Sequence, residues 1–293
     1  MVPRHRAATV TALLFAGLTL RELARRRLVA AVAVLTLAIV VLTAVGMTRL
    51  AGVVIDGAPL PPPAVRGTAS GIVLLLAFFF SFVVALGAAL IGAPALAESI
   101  ANGEILALLA RPIRRADVVL GRWLGTLCAL TVYVAIAGGI ELAVVASATG
   151  YVPPHPFAAL LYLAGVGAVV TTAAIALAVR LPALAAGAVA ALCFGVAWIG
   201  GIVEAIGLAL GSRTIADAGT IVTLLFPSDA LWRGACYALQ PALITAAAAT
   251  NQNAGGNPFA VTAPPPPALL AWSGGWVVVV LGAAIVAMRR RDL

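Results

Sequence analysis

The sequence contains no lysine, and all 18 of its basic residues are arginine. A phosphate-binding P-loop needs its Lys, so this chain cannot be a P-loop ATPase by itself. Schiff-base chemistry is excluded for the same reason. Charge of either sign is scarce, at 10% of 293 residues, against about 25% in an ordinary soluble domain. So few charges cannot cover a water-facing surface. Histidine is limited to His5 and His155, both outside the apolar runs, which argues against a Ser–His or His-rich metal centre in the membrane. Cys128, Cys193 and Cys236 are scattered and have no CxxC spacing. They offer neither a disulfide framework nor a zinc site.

What is present is apolar. Hydrophobic residues make up 63% of the chain and the mean hydropathy is +1.13. Disorder requires the opposite composition. The expected class is an all-α membrane protein. A net charge of +8 raises the question of nucleic acid. Most of the arginines flank apolar runs, however, where they orient a chain in a bilayer. Lipid is therefore the expected surroundings and nucleic acid is not an expected partner.

A bilayer core takes about 20 residues of helix, and six runs qualify: about 28–48, 71–93, 123–149, 157–179, 183–210 and 268–288. The third and fifth are long enough to tilt or kink, and Gly138-Gly139 marks a flexible point in the third. Ahead of the first span, residues 8–27 fit an interfacial amphipathic helix. With six spans, fourteen arginines fall on one side and four on the other (Arg49, Arg66, Arg213 and Arg233). The positive-inside rule places both termini in the cytoplasm, as in a multi-pass plasma-membrane protein.

A seventh crossing over 229–250 would bury Asp229, Arg233 and Gln240, at about 2.5–3.5 kcal/mol for each ion. Residues 220–250 instead read as two short helices at the outer face, with Ser228 as a cap. They belong to an outer segment over 211–267. Trp123, Trp272 and Trp276 suit interfacial anchoring. Gly121/Gly125 and Gly207/Gly211 have close-packing spacing and read as ordinary helix contacts.

The cytoplasmic loop over 94–122 carries the functional argument. A short amphipathic helix fits 96–109, with Glu98 and Glu104 as its charges and Leu108 and Leu109 on its apolar face. Pro112 ends it, biasing Arg111 toward extended backbone. A second helix then enters the membrane, with Asp117 in its first turn. A partner pushing the first helix would tilt the span behind it.

This loop resembles the first cytoplasmic loop of ABC-2 type transporter permeases. Glu98 matches that family's leading acid, Gly103 its glycine, and Leu108 and Leu109 its leucines. Arg111-Pro112-Ile113 matches the basic-Pro-hydrophobe step, and Arg115 the following arginine. Glu104 stands where Thr or Ser is usual, and Leu106 where a second acid is usual. The basic N-terminus, the six spans and the outer helical segment resemble the same family.

The resemblance implies a permease without enzymatic activity of its own. ATP and Mg would be bound by a separate ABC ATPase subunit, and this chain itself would carry no cofactor and no metal. A second permease chain, identical or related, would complete the channel, and the family mostly exports. Glu98, Gly103, Glu104, Leu108, Leu109, Arg111, Pro112 and Arg115 would form the ATPase contact. Glu141 and Glu204 fall within spans, and such acids are costly there and become candidates for a translocation pathway. The same acids leave open an ion-coupled secondary transporter. A non-transporting membrane assembly factor is the other alternative.

Overall fold

The computed structural model describes residues 13–22, 27–103, 114–242 and 261–291. A helix over 13–22 (α1) precedes α2 (Arg27–Ala51), and a small hairpin, β1 (Val54–Ile55) and β2 (Ala58–Pro59), follows. Next come α3 (Pro62–Ala101), α4 (Arg115–Tyr133), a π-helical turn (Val134–Gly138), α5 (Gly139–Thr149) and α6 (Pro156–Ala178). The chain continues through α7 (Ala183–Ala209), α8 (Arg213–Leu225), α9 (Ser228–Leu239) and α10 (Pro267–Arg289). Among the described residues, six helical rods are long and apolar enough to cross a membrane: α2, α3, α4–π–α5, α6, α7 and α10. The chain is an all-α membrane protein.

α3 corrects the reading of the 94–122 loop. No separate helix begins after Pro94; one 40-residue helix runs from Pro62 to Ala101 with Pro94 inside it. Pro94 lacks an N–H, which in an exposed helix costs about 3 kcal/mol. Here the turn around it is packed, with Ala93 and Leu96 fully buried and part of the main core. At 1.5 Å per residue such a helix is about 60 Å long, twice the hydrocarbon thickness. It projects at both faces, and Pro62 and Pro63 form its first turn rather than a loop. Gly103 stops it with φ +69°, a backbone conformation that glycine adopts without penalty.

α6 is the central helix. Its small and β-branched residues, including Val166, Val170 and Ala174, pack against Ala85, Ala88 and Ala89 of α3 in one core cluster. Small side chains let helix backbones approach closely where lipid offers no hydrophobic drive for association. α2 stands at the edge, with Val34 and Leu42 about 70% exposed to what would be lipid. The third span starts at Arg115 and ends at Thr149, interrupted by the π-turn that finishes at Gly138.

At the face opposite α1 and the end of α10, α7 ends in a Schellman motif. Gly211 has φ +65°, Ser212 N–H bonds Gly207 O at 2.9 Å and Gly211 N–H bonds Leu208 O at 3.2 Å. The chain reverses and α8 packs back along α7. α9 then begins at Ser228, which is its first helical residue; Pro227 occupies the cap position without a side-chain bond. Trp123, Trp272 and Trp276, expected as interfacial anchors, are struts between helices. Trp272 and Trp276 donate to Leu224 O and Leu225 O, each at 2.9 Å, closing the end of α8. Trp123 donates to Thr172 Oγ1 at 2.9 Å.

Candidate functional site

Among the described residues, three places bring polar groups together. The first is the Arg-rich face, where α1 lies across the start of α4. Phe15 and Ala16 of α1 are buried, and the two helices touch at Gly125. A Cβ on Gly125 would sit 2.8 Å from Ala16 O and 2.7 Å from Thr19 Cβ. One turn earlier on α4, Arg122 is 5% exposed. Its guanidinium donates to Glu22 at 2.5 Å, to Ser99 Oγ at 2.8 Å and to Thr19 Oγ1 at 3.4 Å. One buried cation thus ties α1 and the last turn of α3 to α4.

Arg115 and Arg291 extend this network. Arg115 Nη1 donates to the carbonyls of Met288 (3.1 Å), Arg289 (3.3 Å) and Arg291 (2.6 Å) at the end of α10. A cation at a helix C-terminus satisfies orphan carbonyls and suits the helix dipole. Arg291 in turn donates to Val179 O, just past the end of α6.

Of the expected ATPase contact, Glu98 is exposed on the last turn of α3 and Gly103 forms the turn after it. Arg115 is engaged within the chain as a helix cap. Glu104, Leu108, Leu109, Arg111 and Pro112 lie outside the described residues.

The second place is an ion cluster at the opposite face. Arg233 of α9 pairs with Asp229 at 2.7 Å and with Glu204 of α7 at 2.7 Å, and it donates to Gly201 O at 2.9 Å. Thr220 of α8 donates to the other Glu204 oxygen at 3.1 Å. Glu204, one of the expected pathway acids, is therefore paired, and it borders a cavity of about 520 Å³ that Trp198, Trp232 and Pro264 also line. Nearby, Tyr151 OH donates to Leu239 O at 2.5 Å and His155 N–H to Ala238 O at 3.1 Å, closing the end of α9.

Burial pushes the Asp229 carboxyl up to about 6, with Glu204 adding to the rise and Arg233 opposing it. Because this folded-state value lies above the ordinary one, Asp229 favours the folded cluster as pH falls from about 6 toward 4. Above about pH 6 the full cost of an ionised, buried carboxylate is present. The melting temperature of the purified chain is thus expected to rise by a few degrees between about pH 7.5 and pH 5. In Asp229→Asn that rise should shrink markedly. An unchanged pH profile in the variant would remove Asp229 from the account.

The third place is a groove facing the lipid, where Glu141, the other expected pathway acid, lies with Tyr133 and Thr36. Sequence reading did not identify Arg122, Arg233, Tyr133 or Thr36 as site residues. A signal existed for Arg233, which follows Asp229 at the i,i+4 spacing of a helical ion pair. For Arg122 the only signal was an arginine directly preceding an apolar run, which looks the same as an orienting charge.

No curated protein matches this chain. A family model described as ABC-2 family transporter protein matches residues 7–293. With six rods long and apolar enough to cross a membrane among its described residues, and this match over nearly its whole length, the chain belongs to the ABC-2 transporter family as a membrane subunit.

Proposed function

We propose that this chain is the permease subunit of an ATP-driven exporter in the plasma membrane. A separate ABC ATPase subunit binds ATP and Mg, and a second permease chain completes the transporter. The Arg-rich face is cytoplasmic by the positive-inside rule. The observation that carries the coupling step is the unbroken α3. Its exposed Glu98 and the Gly103 turn lie at the Arg-rich face, and the same helix reaches the opposite face at Pro62. A push on its inner end moves one stiff rod. Arg122 holds Ser99, next to Glu98, against α4, so α3 and the third span move together. At the far end, the cavity beside Glu204 is where a released substrate would leave.

Affinity purification from gently solubilised native membranes tests this reading. A near-stoichiometric partner with nucleotide-binding motifs is expected. Reversing Glu98 and Glu104 to Arg is expected to reduce the recovered partner about tenfold or more, with chain abundance unchanged. Charge reversal replaces attraction by like-charge repulsion, which costs several kcal/mol across an interface. Recovery of the chain alone, or undiminished partner in the double variant, would overturn the coupling assignment.

A further inference from the structure

The lipid-facing groove is bounded by α2, α3, the third span and α6 and encloses about 100 Å³. Two polar groups of the third span line it, Tyr133 and Glu141. Tyr133 OH and Thr36 Oγ1 of α2 lie 2.9 Å apart. Tyr133 and Glu141 are eight apart, which on an α-helix would leave them about 80° out of phase. The π-turn at Val134–Gly138 lies between them. Such a bulge absorbs one extra residue. It puts both side chains on the face that lines the groove.

The proton inventory of the groove is one-sided. Thr36 spends its only hydroxyl proton on Val32 O at 2.8 Å, so Tyr133 donates in the Tyr133–Thr36 bond. Tyr133 is left with acceptor capacity alone. Glu141 Oε1 is buried with no hydrogen-bond partner among the described residues. With Glu141 ionised, every polar atom free to meet a guest is an acceptor. No basic residue lines the groove among the described residues. The remaining walls are apolar or aromatic, with Phe80 beside Tyr133, and Leu35 and Phe79 more than half exposed at the open side.

We propose that this groove binds lipophilic amines from the bilayer: the ammonium on Glu141, the first carbons enclosed and the tail lying over Phe79 and Leu35. The fit is chemical. An ammonium has only donors, compensates the one carboxylate and gains from the faces of Phe79, Phe80 and Tyr133. A fatty acid or phosphate headgroup would meet only acceptors and a like charge. Calling the bound amine a transported substrate rests on the permease reading, whereas binding itself does not.

The test uses the full chain in neutral-lipid nanodiscs, without any ATPase, and a tetradecylamine carrying a chain diazirine. The matching alcohol and carboxylic acid are comparators. Crosslinks are mapped by mass spectrometry. The amine is expected to label residues within 35–40, 76–83 and 133–142, with competition by unlabelled dodecylamine but not by dodecanol. Labelling should fall about tenfold or more in Glu141→Gln, the scale of a charge-assisted hydrogen bond. Should that variant misfold, the competition on the unmodified chain decides alone. Equal labelling by the acid or the alcohol, or equal labelling of Glu141→Gln by the amine, would overturn the proposal. If amine binding holds while no ATPase partner is recovered, the site stands and the permease coupling falls.

Discussion

Gly219→Leu is expected to leave almost no folded protein in the membrane. α8 packs against α7 with Gly219 directly over the backbone of Gly200 and Glu204. A Cβ at Gly219 would lie 2.6 Å from Gly200 O and 2.7 Å from Glu204 Cα. Both atoms are backbone in a continuous helix, so they cannot swing aside as a side-chain tip would. Overpacking against side chains typically costs 1–3 kcal/mol; against main chain, about 3 kcal/mol or more is expected. The same hairpin is tight at Gly207, where a Cβ would sit 2.7 Å from Ala216 Cα, so α8 cannot slide along α7 to relieve the clash. The damage spreads to the ion cluster, because Glu204 and Thr220 flank the contact. Monodisperse yield in fluorescence-detected size exclusion should fall about tenfold or more. Gly282→Leu is the comparison: it adds the same side chain in a spanning helix with nothing within 4 Å of its Cβ, and its yield should match the wild type. Equal yields from both variants would mean the hairpin is not as tight as described.

What could be read from the sequence follows from which signals are one-dimensional. Apolar runs of about 20 residues report directly on crossing a bilayer, and each of the six runs lies largely within one of the six rods. The break near Gly138-Gly139 was also visible, although its form, a π-turn that re-phases Tyr133 and Glu141, needs the neighbouring helix to give it meaning. Helix ends were less legible. Pro94 looked like a boundary because proline usually is one, yet the core around Leu96 holds the helix together past it. Tryptophans near span ends looked like interfacial anchors; their indole N–H groups are claimed by Leu224, Leu225 and Thr172. The polar sites were least legible. Arg122, Ser99, Thr19 and Glu22 come from three elements, and no spacing in the chain announces that they meet. Glu204 and Arg233 are likewise 29 residues apart.

Arg122→Met is expected to free α1 from the third span while leaving the six rods assembled. Met keeps the length and apolar stem of Arg but donates nothing, so α1 loses the bonds to Glu22 and Thr19 together. The loss is asymmetric. Arg122 is 6% exposed at its side chain and Glu22 is 47% exposed. Once unpaired, Glu22 returns to water at little cost, so the variant does not strand a buried charge, the situation that makes broken ion pairs most destabilising. Ser99 keeps its own bond to Ala95 O at 3.4 Å. What disappears is a charged donor serving α1, worth about 1.5–3 kcal/mol, or roughly a tenfold to hundredfold rise in local opening. Phe15 remains in the core and opposes full release. Hydrogen exchange of residues 13–22 should accelerate on that scale, with α6 unchanged. Glu22→Gln keeps an acceptor at the same place and removes only a half-exposed charge, whose pairing is worth at most about 1 kcal/mol, so exchange should rise by less than about fivefold. Transport then distinguishes two roles for α1. If coupling passes through α3 alone, Arg122→Met should retain ATPase partner binding and lose flux only as Ser99 is released from α4. If α1 itself bears on the ATPase, partner recovery should fall in proportion to the exchange rate of 13–22. Unaltered exchange in Arg122→Met would mean that Phe15 and the Gly125 crossing, rather than the buried cation, hold α1 in place.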